Sequence, residues 1–169
     1  MDLNNINNGQ QLILSEELYN SVTEIIETLA KNTNANSVIF CESTGYPVTY
    51  TGDIKSLDIS VISSLAASNF SATAKMASLL GEKNSFKYLY HEGEYENLYI
   101  SNVGFNFLLL IIFKVDVALG MIRIYTKKAI KSLGAVLQTA RQDEKKSKDF
   151  IDLEFKTLLS EELNRSLKL

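Results

Sequence analysis

Cysteine, histidine and proline each occur once in this chain of 169 residues. The single cysteine, Cys41, can close no disulfide within the chain, so a small secreted fold held by bridges is excluded. Cys41 and the single histidine, His91, fall short of the roughly four N/S ligands that a structural zinc site needs. Cys41 lies inside a β-branched, aromatic stretch and reads as a small buried hydrophobe. His91 reads as an exposed residue of an acidic turn. Glu92, Glu94 and Glu96 in that turn read as solvated acids rather than as a cation site.

An excess of either charge is also missing. Lys and Arg number 17 against 20 Asp and Glu, for a net charge of −3. No basic run is long enough to track a phosphate backbone, so nucleic acid and acidic membrane surfaces are not expected partners. Long apolar runs are absent too. The longest, Phe107–Phe113, is too short to span a bilayer. Residues 1–10 are rich in Asn and have neither the basic nor the apolar region of a signal peptide. These features predict a cytoplasmic protein with no membrane insertion. The eight glycines never form G-x-G, and no G-K-[ST] or G-x-S-x-G occurs. The common routes to nucleotide binding and nucleophilic catalysis are closed, so no catalytic centre and no cofactor are expected.

What remains is an ordinary globular composition with a regular alternation of patterns. Residues 1–12 are polar and read as a flexible start. Ser15 is a good N-cap, and Glu16 and Glu17 follow where the helix dipole favours anions. Leu18, Val22, Ile25 and Leu29 then form one helical face, which predicts a helix over 15–32. SVIFCE at 37–42 and YPVTYT at 46–51 predict a hairpin whose turn uses Gly45 at positive φ. Pro47 cannot donate a ladder hydrogen bond, which places the second strand at a sheet edge.

A second helix is predicted over about 56–80, ended by Gly81. Between Asp58 and Lys75 it carries no charge. Val61, Leu65, Ala72, Met76 and Leu79 form one stripe. Ile62, Ala66, Phe70, Thr73, Ala77 and Leu80 form another beside it. A surface helix usually has one apolar stripe and a charged back. Either this helix is buried all round within its own chain, or one stripe faces the sheet and the other a second molecule. A small domain has little with which to surround a helix, which favours the second reading. The stripe of Ile62, Ala66, Phe70, Thr73 and Ala77 is assigned to the contact between molecules, its small residues allowing close approach.

Three strands are predicted next, at 86–91, 97–103 and 107–113. Phe86, Tyr88 and Tyr90 share one face of the first. Its free edge would be an aggregation hazard unless paired, so these three residues join the assigned dimer contact. FLLLIIF at 107–113 is apolar at every position and must lie mid-sheet with helices above and below. The fold class is thus α/β (α+β): a five-stranded, mainly antiparallel sheet with helices on both faces. Another helix follows to Arg141, although MIRIYT at 121–126 would also pass as a strand. After the charged stretch 141–149, an amphipathic segment carries Ile151, Phe155, Leu158, Leu159 and Leu163 on one side. These five are the candidate partner-binding residues.

The order of elements, together with VIFCESTGYPV at 38–48, the Ala/Ser-rich helix 59–80 and LLLIIFKVDVALGMIR at 108–123, resembles the roadblock / dynein light chain superfamily. The likeness covers about residues 13–142, leaving 143–169 as a charged linker and C-terminal helix. It favours helix over strand at 121–126, where Leu119-Gly120-x-x-Arg123 opens the family's last helix. It implies dimers, with a copy of itself or a paralogue, whose third strands pair edge to edge and whose central helices pack side by side. It implies a regulator or scaffold of a small Ras-like GTPase, or an accessory subunit of a motor complex. The bacterial gliding-motility members activate their GTPase without an arginine finger, and some use a C-terminal helix to touch it. Archaeal members are also expected to pair with small GTPases. Two other readings stand beside the GTPase regulator: a structural adaptor in a larger assembly, and a longin- or profilin-like fold.

Overall fold

The computed structural model describes residues 15–166 except 56 and 84; in the last helix, the side chains at 144, 149, 150, 153 and 160–166 are not described. The expected flexible start at 1–12 lies outside the described residues. The elements are α1 (Glu16–Thr33), β1 (Ser37–Glu42), β2 (Pro47–Gly52), α2 (Ile59–Leu79), β3 (Tyr88–His91), β4 (Glu96–Gly104), β5 (Phe107–Lys114) and α3 (Leu119–Ser166). The five strands form one sheet in the order β2-β1-β5-β4-β3, and every neighbouring pair is antiparallel. This is the sheet expected from the sequence, with β5, apolar from Phe107 to Phe113, at its centre and the Pro47 strand at one edge.

The chain divides into two units. Glu16–Leu137 holds the sheet, α1, α2 and the first part of α3. From Gln138 onward the helix belongs to the second unit.

Side chains on a strand alternate between faces, so each face of this sheet has its own cover. On one face, Ile39, Cys41, Ile100, Leu108, Leu110 and Ile112 pack with Ala66, Ala67 and Phe70 of α2. On the other lie Phe40, Tyr99, Leu109, Ile111 and Phe113, all buried. α1 is tied to that face by the Thr23–Thr49 hydroxyl pair at 2.9 Å. The first part of α3 is tied to it by Arg123, whose guanidinium sits 4.9 Å from the Tyr88 ring centre. The buried face of α1 is Leu18, Val22, Ile26 and Leu29. Ile26, rather than the expected Ile25, points to the sheet. Ile25 turns instead toward α3 and lines a groove of about 330 Å³ with Leu29, Tyr125 and Ala129. A second helix alongside α1 widens the stripe that can be covered, and periodicity alone could not reveal that neighbour.

α2 is capped at both ends, and a glycine turn lies close against it. Asp58 caps its start, its carboxylate accepting from Val61 N at 3.1 Å. Its end closes with Glu82 N donating to Ala77 O at 3.0 Å and Gly81 at φ +81°. Gly45, in the β1–β2 turn at φ +95°, passes so close that a Cβ there would lie 2.7 Å from Ser64 Cα. Gly45→Ala should therefore cost at least about 1–3 kcal/mol, from the left-handed backbone alone. Denaturant unfolding should show that loss as a lower midpoint at unchanged slope.

Two expected boundaries need correction, and one open choice is decided. Phe86 lies outside β3, which begins at Tyr88. The charged stretch 141–149 is no break, since α3 runs through it as helix. Its charges can pair along the helix itself, as in Lys146–Asp143 at 3.6 Å. Finally, Met121–Thr126 is helical, as the family resemblance implied, and not a strand.

Candidate functional site

The central helix presents two very different faces. Its inward face is Ser63, Ala66, Ala67, Phe70 and Ala77. These residues are small apart from Phe70, and they let α2 lie close on the sheet. Ala66, Phe70 and Ala77 were expected at the contact between molecules, but the structure places them in the chain's own core. Phe70 is only 7% exposed. Ile62 and Thr73 of the same stripe are half-buried at its border.

The outward face is the other stripe. Val61, Leu65, Met76 and Leu79 are exposed, with Leu80 just past the helix end, and Leu65 reaches 61%. Ala72 lies open among them. A stripe of this kind, with no charge from residue 59 to 74, is costly to leave in water. The phase of the helix is thus the reverse of the expected one. The small residues are spacers between helix and sheet, not between two helices. The signal that could have set the phase is the Gly45 turn, which demands a small partner such as Ser64 beneath it.

The second candidate feature is the β3 edge. Tyr88 stacks on Tyr99 of β4 at 5.0 Å between ring centres, and Tyr90 on Phe113 of β5 at 6.3 Å. Arg123 lies over the outer face of this cluster. Burial pushes the Tyr99 phenol up to about 12, Tyr88 adds to the rise, and Arg123 opposes it. Phe86, the third residue assigned to this edge, is half-buried just before the strand. At the far end, His91 Nε2 meets Asn69 Nδ2 of α2 at 3.0 Å, which ties the edge strand to the central helix. The Arg123–Tyr88 contact was missed from sequence, since nothing in the pattern of either element points to the other.

Cys41 is fully buried, and burial pushes its thiol up to about 12. The neighbouring Ser63 hydroxyl acts in the opposite sense, and Glu42 adds to the rise. A thiol held neutral in this way is no nucleophile. Among the described residues, no group of three or more His, Cys, Asp or Glu could hold a metal ion, and no helix is long and apolar enough to cross a membrane.

In the second unit, Ile151, Phe155, Leu158 and Leu159 are all exposed, Phe155 to 64%. Leu163 falls among the side chains that are not described. The four visible residues form an apolar stripe at helical spacing, as expected.

The model of the Roadblock/LC7 domain matches residues 22–113, which span β1 to β5 and most of α1. Among solved structures, the chain is similar to MglB of Myxococcus xanthus, with 30% identity and a TM-score of 0.72, covering 76% of this chain and 96% of that one. It is also similar to the gliding protein MglB of Thermus thermophilus, with 25% identity and a TM-score of 0.69 over 76% of this chain and 97% of that one. An uncharacterised protein of Aquifex aeolicus (strain VF5) is 24% identical over 135 residues, covering 79% of this chain and 83% of the relative. A helix, a hairpin turning on Gly45, a close-lying small-residue helix and three antiparallel strands thus recur here with the sequence that goes with them, and the chain belongs to the Roadblock/LC7 domain family.

Proposed function

We propose that the protein is a dimeric, non-catalytic regulator that binds a small Ras-like GTPase and stimulates its GTP hydrolysis. The observation that carries this reading is the likeness to MglB at 30% identity over nearly the whole of that chain. The surface supports it. A regulator of this kind acts by protein contact, and the outward face of α2 is an apolar, uncharged stripe that needs a protein to cover it.

The dimer is formed, in this reading, by the β3 edge with Tyr88 and Tyr90, and by the outward stripe of α2 with Ile62 and Thr73 at its border. A relative, an MglB of 27% identity, is described as having a tetrameric arrangement, which accords with self-association. Heterodimerisation with a paralogue would use the same surfaces. Ile151, Phe155, Leu158, Leu159 and Leu163 are the proposed docking residues for the GTPase, and the cytoplasm is the proposed location.

The alternative, a structural adaptor without effect on a GTPase, differs in one readout. With a Ras-like GTPase from the same cell loaded with GTP, single-turnover hydrolysis should accelerate at least about tenfold as the protein is titrated in, equivalent to about 1.4 kcal/mol off the barrier. Binding without acceleration would favour the adaptor.

A further inference from the structure

α1 and the first part of α3 lie side by side on the sheet face opposite α2, and they carry opposite charge. α1 holds Glu16, Glu17, Glu24 and Glu27 against one cation, Lys31. From 117 to 142 the chain has no acidic residue, and Arg123, Lys127, Lys128 and Lys131 all stand exposed on α3. In a chain of net charge −3 this is a local reversal of sign. Helical spacing orders these side chains around α3. Lys127 and Lys131 share its outer crest with Ile124, which is 58% exposed. Lys128 leans to the α1 side. Arg123 leans the other way, onto Tyr88.

Between the two helices runs the groove of about 330 Å³. Ile25, Leu29 and Ala129 give it an apolar floor, and its lining spans residues 24–32 of α1 and 125–132 of α3. Each wall is therefore about two helical turns long, or roughly 12 Å. Glu24 stands on one wall and Lys128 on the other. Opposite charges attract across so short a gap, yet no ion pair joins these two among the described residues. Lys128 lies instead over the Tyr125 ring, 5.0 Å from its centre.

We propose that this groove is a docking site for an amphipathic helix of a partner protein, its apolar stripe on the floor and its carboxylates against Lys127, Lys128 and Lys131. Two packed helices with a furrow between them accept the ridge of a third. Charge decides the occupant. A membrane or a nucleic acid is anionic over a broad area and would meet Glu17 and Glu24 as closely as the lysines. A single helix seated between the two crests presents acid to α3 alone. A second copy of this chain offers only a like groove and two charged crests, with no continuous apolar stripe to cover the floor. The site uses no residue of the dimer and GTPase contacts proposed above, so it would hold a third protein at the same time as both.

The test uses a short fluorescent peptide helix with a Leu stripe flanked by Glu on one side and Gln on the other, titrated with the full chain and followed by anisotropy. Saturable binding is expected at micromolar concentration, weakening as salt rises. Lys127→Glu combined with Lys131→Glu should weaken it at least about tenfold. Ser132→Trp, which fills the groove from its wall, should do the same while circular dichroism stays as in wild type. Binding left unchanged by either variant, or no saturable binding at about 1 mM peptide, would overturn the proposal. So would capture of the wild-type chain by phosphatidylserine vesicles that the double variant escapes, which makes a membrane the occupant. A smaller particle mass for the double variant in light scattering would overturn it too, by making the occupant a second copy.

Discussion

Leu65→Glu is expected to split the dimer while leaving the fold intact, and Phe70→Glu, five residues further on, to abolish the fold. The two positions lie on the same helix with no charge between them, but 61% of Leu65 is exposed against 7% of Phe70. At Phe70, loss of the ring costs about 3–5 kcal/mol from cavity formation alone. The incoming carboxylate would also be buried without a partner, which adds a further penalty of several kcal/mol. A domain of this size has about 5–15 kcal/mol in total, so little native protein should remain. At Leu65 the glutamate is solvated in the monomer, and folding should change by no more than about 0.5 kcal/mol. In the dimer the same charge is forced into an apolar contact, and the dissociation constant should rise by about 100-fold, or roughly 2.7 kcal/mol. Circular dichroism reads the first outcome and light scattering the second. A Leu65→Glu chain with wild-type dimer mass would show that the outward stripe is not the contact.

Removal of residues after Asp149 is expected to leave the thermal midpoint within about 2 °C of wild type and to lower affinity for the GTPase by about tenfold or more. Among the described residues it deletes, Ile151, Phe155, Leu158 and Leu159 are exposed, and none of them is part of the core of Glu16–Leu137. An amphipathic helix with an uncovered stripe is a familiar element for laying into a partner's groove. The segment continues α3 as one helix to Ser166, so its stripe is presented at helical spacing before a partner docks. Ile151→Asp combined with Leu159→Asp should reproduce the loss of affinity, because the apolar stripe carries the contact. A fall of many degrees on truncation would instead make the segment part of the protein's own core.

Most of the sheet could be read from the sequence because strand signals were strong and local. FLLLIIF admits no exposed face, so β5 had to be central. Pro47 admits no inner ladder, so β2 had to be an edge. The phase of α2 was harder. Both stripes are apolar, and burial depends on which one the sheet meets, a tertiary fact that a hydrophobic period does not carry. For Ile25 and Ile26 the difficulty was similar, since α1 is covered by the sheet and by α3 at once. The unbroken course of α3 through 141–149 was missed for another reason. A dense run of charge looks like a linker, but Lys, Glu, Gln and Arg are also good helix formers. The Arg123–Tyr88 contact joins residues 35 positions apart and leaves no local trace.

The most direct test of the regulatory reading uses the full chain as bait for small Ras-like GTPases from its own cell, loaded either with a non-hydrolysable GTP analogue or with GDP. One such GTPase should be retained, more strongly in the GTP-analogue state, in a complex with two copies of this chain. Retention of no GTPase in either nucleotide state, by a chain shown to be folded and dimeric, would contradict it.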